Sequence, residues 1–329
     1  MILVDEGQSP LILCLPHSGS DIPGVVAKRL NATGRLQADI AWRLEMVFDL
    51  NKSLDATVIR SSISRYVIDL DQDPSLKAAD PTSSGLCPVT TLDGKRIYNE
   101  NEEPGPIEIE QRSLLFVTPF QRALGQQIDR LMRQHRRIVL IDCQSMRSHI
   151  KGVTDKGLPY VSVGSGGGVT CHQNVRNLLA GSFTGQQGVT ISVDDVTKGG
   201  HIIKTFGRPE RGIHAASILL AQRSYLRHES PPFEPDKARI ARLQALLSDG
   251  LSRLIDWTAL EDLESVSVLP PEGVHEDTPD RQTTNEPQNS ELDQASDNKV
   301  LAGPEFPKAQ ASRVSQVEAG PVQPLLVAE

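Results

Sequence analysis

Three runs dominated by aliphatic residues, LILCL at 11–15, RIVLIDC at 137–143 and HAASILLA at 214–221, constrain this chain more than any other feature. A strand with one face in water alternates apolar and polar residues, whereas a strand covered on both faces has no such need. The chain must therefore bring helices to both faces of a parallel or mixed sheet. Helix-spaced apolar positions supply them: Leu36, Ile40, Leu44, Val47 and Phe48 within 24–52, a long stretch over 107–135 kinked at Pro119, a helix near 171–181, and KARIARLQALLSDGLSRLIDWTAL at 237–260. The segment ATVIRSSISRYVIDLD predicts two further strands and VTISVDD one more. Strands alternating with helices place the chain in the α/β class, with helices on both faces of one sheet.

A chain of 329 residues can bury a full core and still carry a tail. Beyond residue 270 it loses its aliphatic clusters, and such a segment cannot bury enough surface to order itself. The expected organisation is a folded domain over 1–257, a linker over 258–269 and a disordered acidic tail over 270–329. The tail holds 11 acidic and 4 basic side chains of a chain whose net charge is −8, which leaves about −1 for the rest. A near-neutral domain gives no footprint for nucleic acid, so none is expected as a partner. No stretch approaches the ~18 apolar residues of a membrane span, and no basic segment precedes an apolar run as in a signal peptide. Cys14, Cys87, Cys143 and Cys171 are widely spaced, without a C-x-x-C pair. Free thiols in a reducing cytoplasm are the expectation. The Gly/Pro/Thr-rich stretch over 80–106 is a loop long enough to suggest a functional role.

His17 directly follows the first buried run, and Asp142 and Gln144 end the second. The carboxyl end of a strand is where α/β folds place reactive groups. Asp39 stands where a helix could begin, which also suits an N-cap. Taken singly, each has an ordinary structural explanation.

Together, PHSGSDIP, SRYVIDLD, SGLCPVTTLDG, IDCQSMRS, TKGGHIIKTFGRPERGIHA and LAQRSYL fall in the order and spacing of the N-formylglutamate amidohydrolases, which the chain resembles over roughly residues 8–257. The resemblance implies a three-layer α/β/α fold with a central mixed sheet, similar to zinc carboxypeptidases. It also implies zinc-assisted hydrolysis of N-formyl-L-glutamate. It assigns metal positions to His17, Asp39 and Gln144, a general-base position to Leu219, and substrate contacts to Arg65, Arg147, Arg208 and His214. Catalytic zinc needs three good ligands and an open place for water, and a carboxylate to take the water's proton. This sequence departs from that pattern. Gln144 replaces the histidine of the family's D-x-H-S motif, and a neutral amide is a poor zinc ligand. Leu219 replaces a glutamate and accepts no proton. Gln72 replaces a cation, and Ala41 and Arg43 stand where the deformylases favour an acid and a histidine. The favoured expectation is a pseudoenzyme without zinc that binds a small dicarboxylate or N-acyl amino acid, or a protein partner through the acidic tail. The alternative is an active zinc amidohydrolase in which Asp21, Asp71 or Glu45 substitutes for a lost group.

Overall fold

The computed structural model describes residues 1–75 and 85–260. A single seven-stranded mixed sheet organises them, in the order β1-β3-β2-β4-β7-β5-β6. The strands are β1 (Ile2–Asp5), β2 (Leu11–Leu15), β3 (Thr57–Ser61), β4 (Ile138–Met146), β5 (Val161–Gly164), β6 (Ile191–Val193) and β7 (Ile213–Ala221). The central strands β3, β2, β4 and β7 run parallel. β1 pairs antiparallel with β3 at one edge, and β5 pairs antiparallel with β7 towards the other. β4 and β7 pair over their full length, from Ile138 opposite Ile213 to Met146 opposite Ala221.

The aliphatic runs are buried on both faces, as their composition requires. Leu11, Leu13, Leu15, Val139, Ile141, Cys143, Ala216, Ile218 and Leu220 belong to one core. Ile12, Cys14, Ile138, Leu140 and Ala215 belong to the core on the other face. The first core is covered by α9 (Lys237–Ala259) through Leu243, Leu247, Leu251 and Leu254, and by α7 (Gln173–Gly181) through Val175 and Leu179. The second is covered by α6 (Thr118–Met132) through Phe120, Leu124, Ile128 and Leu131, and by α8 (His201–Phe206) through Ile202 and Ile203. This is a three-layer α/β/α arrangement. Asp236 starts α9 by accepting hydrogen bonds from the amides of Ala238 and Arg239, and the helix runs two residues past the boundary expected at Trp257.

Three local expectations are corrected. The 24–52 stretch forms four short helices, α1 (Gly24–Ala27), α2 (Ala32–Leu36), α3 (Leu44–Val47) and α4 (Asn51–Leu54), rather than one run. Gln37 (φ 49°), Arg43 (φ 62°) and Asp55 (φ 47°) adopt left-handed backbone, which a right-handed helix cannot continue through. The long helix over 107–135 becomes α5 (Pro106–Arg112) and α6, joined by a π-helical segment at Ser113–Val117. Pro119 sits in the first turn of α6, and the wider turn before it accommodates the missing proline N–H. Of the two strands expected in ATVIRSSISRYVIDLD, only β3 forms. Tyr66–Leu70 is buried but takes turn and irregular backbone instead of a strand.

All four cysteines are free and buried. Among the described residues no helix is long and apolar enough to cross a membrane. The linker from residue 261 and the acidic tail, with the partner role suggested for it, lie outside the described residues.

Candidate functional site

One face of β4 and β7 changes character along its length, and that change builds the site. Side chains two apart on a strand share a face. On β4 the series runs Ile138, Leu140, Asp142, Gln144; on β7 it runs Ile213, Ala215, Ser217, Leu219. The apolar beginning packs under α6 and α8, while the carboxyl ends carry polar groups. Register places Asp142 opposite Ser217 and Gln144 opposite Leu219. His17 follows β2, and the turn after β3 delivers Arg65, Asp69 and Asp71. These groups meet around a cavity of about 230 Å³ lined by His17, Asp39, Arg65, Asp71, Asp142, Gln144, Ser217 and Leu219, with Leu92, Met146 and the Gly199–Gly200 backbone among its walls. Glycine is required at position 200, because a Cβ there would lie 1.7 Å from Asp71 Oδ2.

Gln144 is the hub. Its Oε1 lies 2.8 Å from His17 Nδ1, and its Nε2 donates to Asp71 Oδ2 and Asp142 Oδ2, both at 2.8 Å. The other ring nitrogen of His17 lies 2.7 Å from Asp69 Oδ1, while Asp69 Oδ2 accepts from Arg65 Nε at 2.8 Å. Asp71 also receives the amide of Ile202 on Oδ1 and so anchors the start of α8. Burial alone would raise Asp69, but His17 and Arg65 overcome it and hold the carboxyl well below the usual range. Asp71 is pushed up to about 6, chiefly by burial, with the Asp69 charge adding to it. Asp142 is driven well above the carboxylate range by burial and by Asp71. Its Oδ1, like Ser217 Oγ, is buried and without a hydrogen-bond partner among the described residues.

Asp39 is not a helix cap. It lies in a bend tied to His17 by the Ala41 amide, which donates to the His17 carbonyl. Asp39 Oδ2 accepts from Tyr66 Oη at 2.8 Å and from the Leu92 amide at 2.9 Å, and Oδ1 accepts from Arg147 Nη2 at 2.7 Å. Arg147 also reaches Asp93.

The expected zinc can be tested against this donor set. Both nitrogens of His17 and both oxygens of Asp39 are taken by protein groups, and the third position offers a neutral amide whose oxygen faces His17. Among the described residues no three His, Cys, Asp or Glu side chains are grouped to hold a metal ion. The arrangement does not fit the zinc that the resemblance implies.

The structure divides the other expected residues. Arg65 lines the cavity. Arg147 is committed to Asp39 and Asp93 outside the lining. Arg208 and His214 lie at the opposite, amino-terminal end of β7, so neither can touch a ligand in the cavity. Arg208 is exposed and donates to the carbonyls of Lys204 and Gly207. His214 is buried against Trp257, accepts from the His172 amide, and is pushed down to about 4 by burial, then by His172 and Arg137. Of the three substitute acids, Asp71 reaches the cavity, whereas Asp21 is exposed and Glu45 lines a separate recess with Asp5, Asp49 and Arg60. Sequence reasoning missed Asp69 and Ser217. Two acids spaced through the apolar VIDLD stretch, and one hydroxyl inside HAASILLA, were the available signals.

A mixed sheet between two helical layers, with ionisable groups gathered where its parallel strands end, defines an α/β/α protein with a cleft of the enzyme type. The family model for N-formylglutamate amidohydrolase matches residues 9–226. The N-formylglutamate deformylase of Pseudomonas putida is 31% identical over 257 residues, covering 77% of this chain and 95% of that protein. The N-formylglutamate deformylase of Pseudomonas aeruginosa is 29% identical over 254 residues, with the same coverage. The crystal structure of N-formylglutamate amidohydrolase from Ralstonia eutropha JMP134 superposes with a TM-score of 0.62 at 19% identity, covering 78% of this chain and 97% of that one. The chain belongs to the N-formylglutamate amidohydrolase family.

Proposed function

We propose that this protein is a non-hydrolysing member of the family, which binds a small ligand in the cavity without zinc. The observation that supports it is the engagement of His17 and Asp39. Both ring nitrogens of His17 are engaged, by Gln144 and Asp69, and both oxygens of Asp39 accept hydrogen bonds, from Tyr66, Leu92 and Arg147. A metal entering here would have to break charge-assisted bonds in a buried site and then find only a neutral amide as its third ligand. The base position adds to the argument. Leu219 stands beside Gln144 on the neighbouring strand, so the missing ligand and the missing base are one contiguous patch. The four buried free thiols suit a reducing cytoplasm, where we place the protein.

The test is metal content and hydrolysis measured on the same preparation of the full chain. The expected result is substoichiometric zinc by elemental analysis and no release of formate from N-formyl-L-glutamate above background, with zinc added or not. Stoichiometric zinc with steady turnover, abolished by His17→Ala, would overturn the proposal in favour of an active amidohydrolase.

A further inference from the structure

The cavity has a charge pattern that a dicarboxylate does not match. Among the described residues its lining holds three aspartates, Asp39, Asp71 and Asp142, the last driven towards its protonated form by burial, against a single guanidinium, Arg65. A second carboxylate on a ligand would face like charge, which disfavours binding. The hydrogen-bonding capacity left over is equally specific. Arg65 uses Nε on Asp69, and its two terminal nitrogens make no bond to any described residue, so one planar edge is available to a carboxylate. Asp39 and Asp71 are each engaged on both oxygens. Asp142 Oδ1 and Ser217 Oγ are not engaged, and these residues, 0% and 2% exposed, face each other across β4 and β7 in the cavity wall. A buried carboxyl oxygen and a hydroxyl left unpaired beside one another suit a compact cation with several N–H donors, whose charge would draw the proton off Asp142. Leu92, Met146 and Leu219 supply apolar wall.

Building on the ligand-binding reading above, we propose that the cavity takes an unblocked, small aliphatic α-amino acid. Its carboxylate lies on the free edge of Arg65, its ammonium on Asp142 Oδ1 and Ser217 Oγ, and its side chain against Leu92, Met146 and Leu219. An N-formyl group would remove both the positive charge and two of the three donors, so the site selects against the N-acylated form. Leu219 then acts as a wall for the side chain rather than as a vacant base position. The volume of about 230 Å³ lies below that of pockets for drug-sized ligands and suits a molecule of this size.

Isothermal titration of the metal-analysed full chain with L-valine, N-formyl-L-valine, valinamide, L-glutamate and glutarate tests the proposal. L-valine is expected to bind at least about tenfold more tightly than N-formyl-L-valine, which lacks the ammonium, and than valinamide, which lacks the carboxylate. Asp142→Asn is expected to weaken L-valine by about tenfold or more and to leave N-formyl-L-valine unchanged. Ser217→Ala, the milder change, is expected to shift affinity in the same direction if Asp142→Asn fails to fold. Equal affinity for L-valine and its formyl derivative overturns the assignment, as does preference for glutarate or absence of L-valine binding at tens of millimolar. Failure of the non-hydrolysing reading is visible separately, as bound zinc and formate release in the same sample.

Discussion

Replacing Gln144 by leucine is the most direct test of whether its amide holds the site together. The side chains are similar in size, so the change removes hydrogen bonds with little change in volume. Three bonds of 2.8 Å are lost together, and they leave His17 Nδ1, Asp71 Oδ2 and Asp142 Oδ2 without their partner. A buried polar group deprived of its partner costs about 1–3 kcal/mol, and more where charge is involved. Asp71, pushed up to about 6, can relieve part of the loss by taking up a proton, so the expected destabilisation is about 3–6 kcal/mol rather than the full sum. For a domain of this size each kcal/mol lowers the melting temperature by about 2–4 °C. The variant should therefore melt at least about 6 °C below the wild type. Thermal unfolding followed by circular dichroism, with urea denaturation at constant slope, measures it. A melting point within about 2 °C of the wild type would refute the argument, since it would mean that the three bonds contribute almost nothing net.

Two further predictions concern residues whose roles the structure reassigns. His214, pushed down to about 4, is kept neutral by the fold, so the unfolded chain takes up its proton first as the pH falls. Its contribution to stability is full above about pH 6.5 and is lost between there and pH 4; His214→Gln should flatten that part of the stability profile without changing ligand affinity, and an unchanged profile would refute the assignment. Gln144→His alone should gain little zinc, because Arg147 still holds Asp39 and Asp69 still holds His17. The double change Gln144→His with Arg147→Ala should retain more zinc through dialysis, and full zinc loading of the single variant would show that Arg147 does not guard the site.

How much of this could be read from the sequence depended on whether the cause was local. The aliphatic runs of β2, β4 and β7 announce burial on both faces because no other environment suits them, and the periodicity of α9 announces its buried face. The breaks within 24–52 were hidden, because Gln37 and Arg43 take left-handed backbone with side chains that do not advertise it. Motif matching singled out His17, Asp39, Arg65 and Gln144, which line one cavity. It misplaced Arg208 and His214 because the motif containing them crosses the sheet. His214 lies five residues upstream of Leu219, roughly 16 Å away at ~3.3 Å per residue of strand, at the end of β7 remote from the cleft. Proximity along the chain stood in for proximity in space, and a long strand separates the two. Asp69 illustrates the converse, since only the turn after β3 reveals that its carboxylate reaches both His17 and Arg65.

Gln144 and Leu219, where the family resemblance implies a histidine and a glutamate, are coupled through the sheet register. A histidine at position 144 could donate a single N–H, whereas the glutamine amide donates two and so bridges Asp71 and Asp142 at once. Asp71 and Asp142 are buried side by side, a charge on one opposes a charge on the other, and a donor lying between them offsets part of that cost. The amide fills that place, and its carbonyl fixes the His17 ring whose far nitrogen meets Asp69. With His17 and Asp39 both absorbed into internal pairs, a glutamate at position 219 would add another acid to a wall that already holds Asp39, Asp71 and Asp142. Leucine there relieves that repulsion and supplies apolar surface to the cavity. Gln144 and Leu219, opposite each other on β4 and β7, thus each lower the electrostatic cost of the buried acids around them, and the strands that carry them hold the cavity through a network of protein groups.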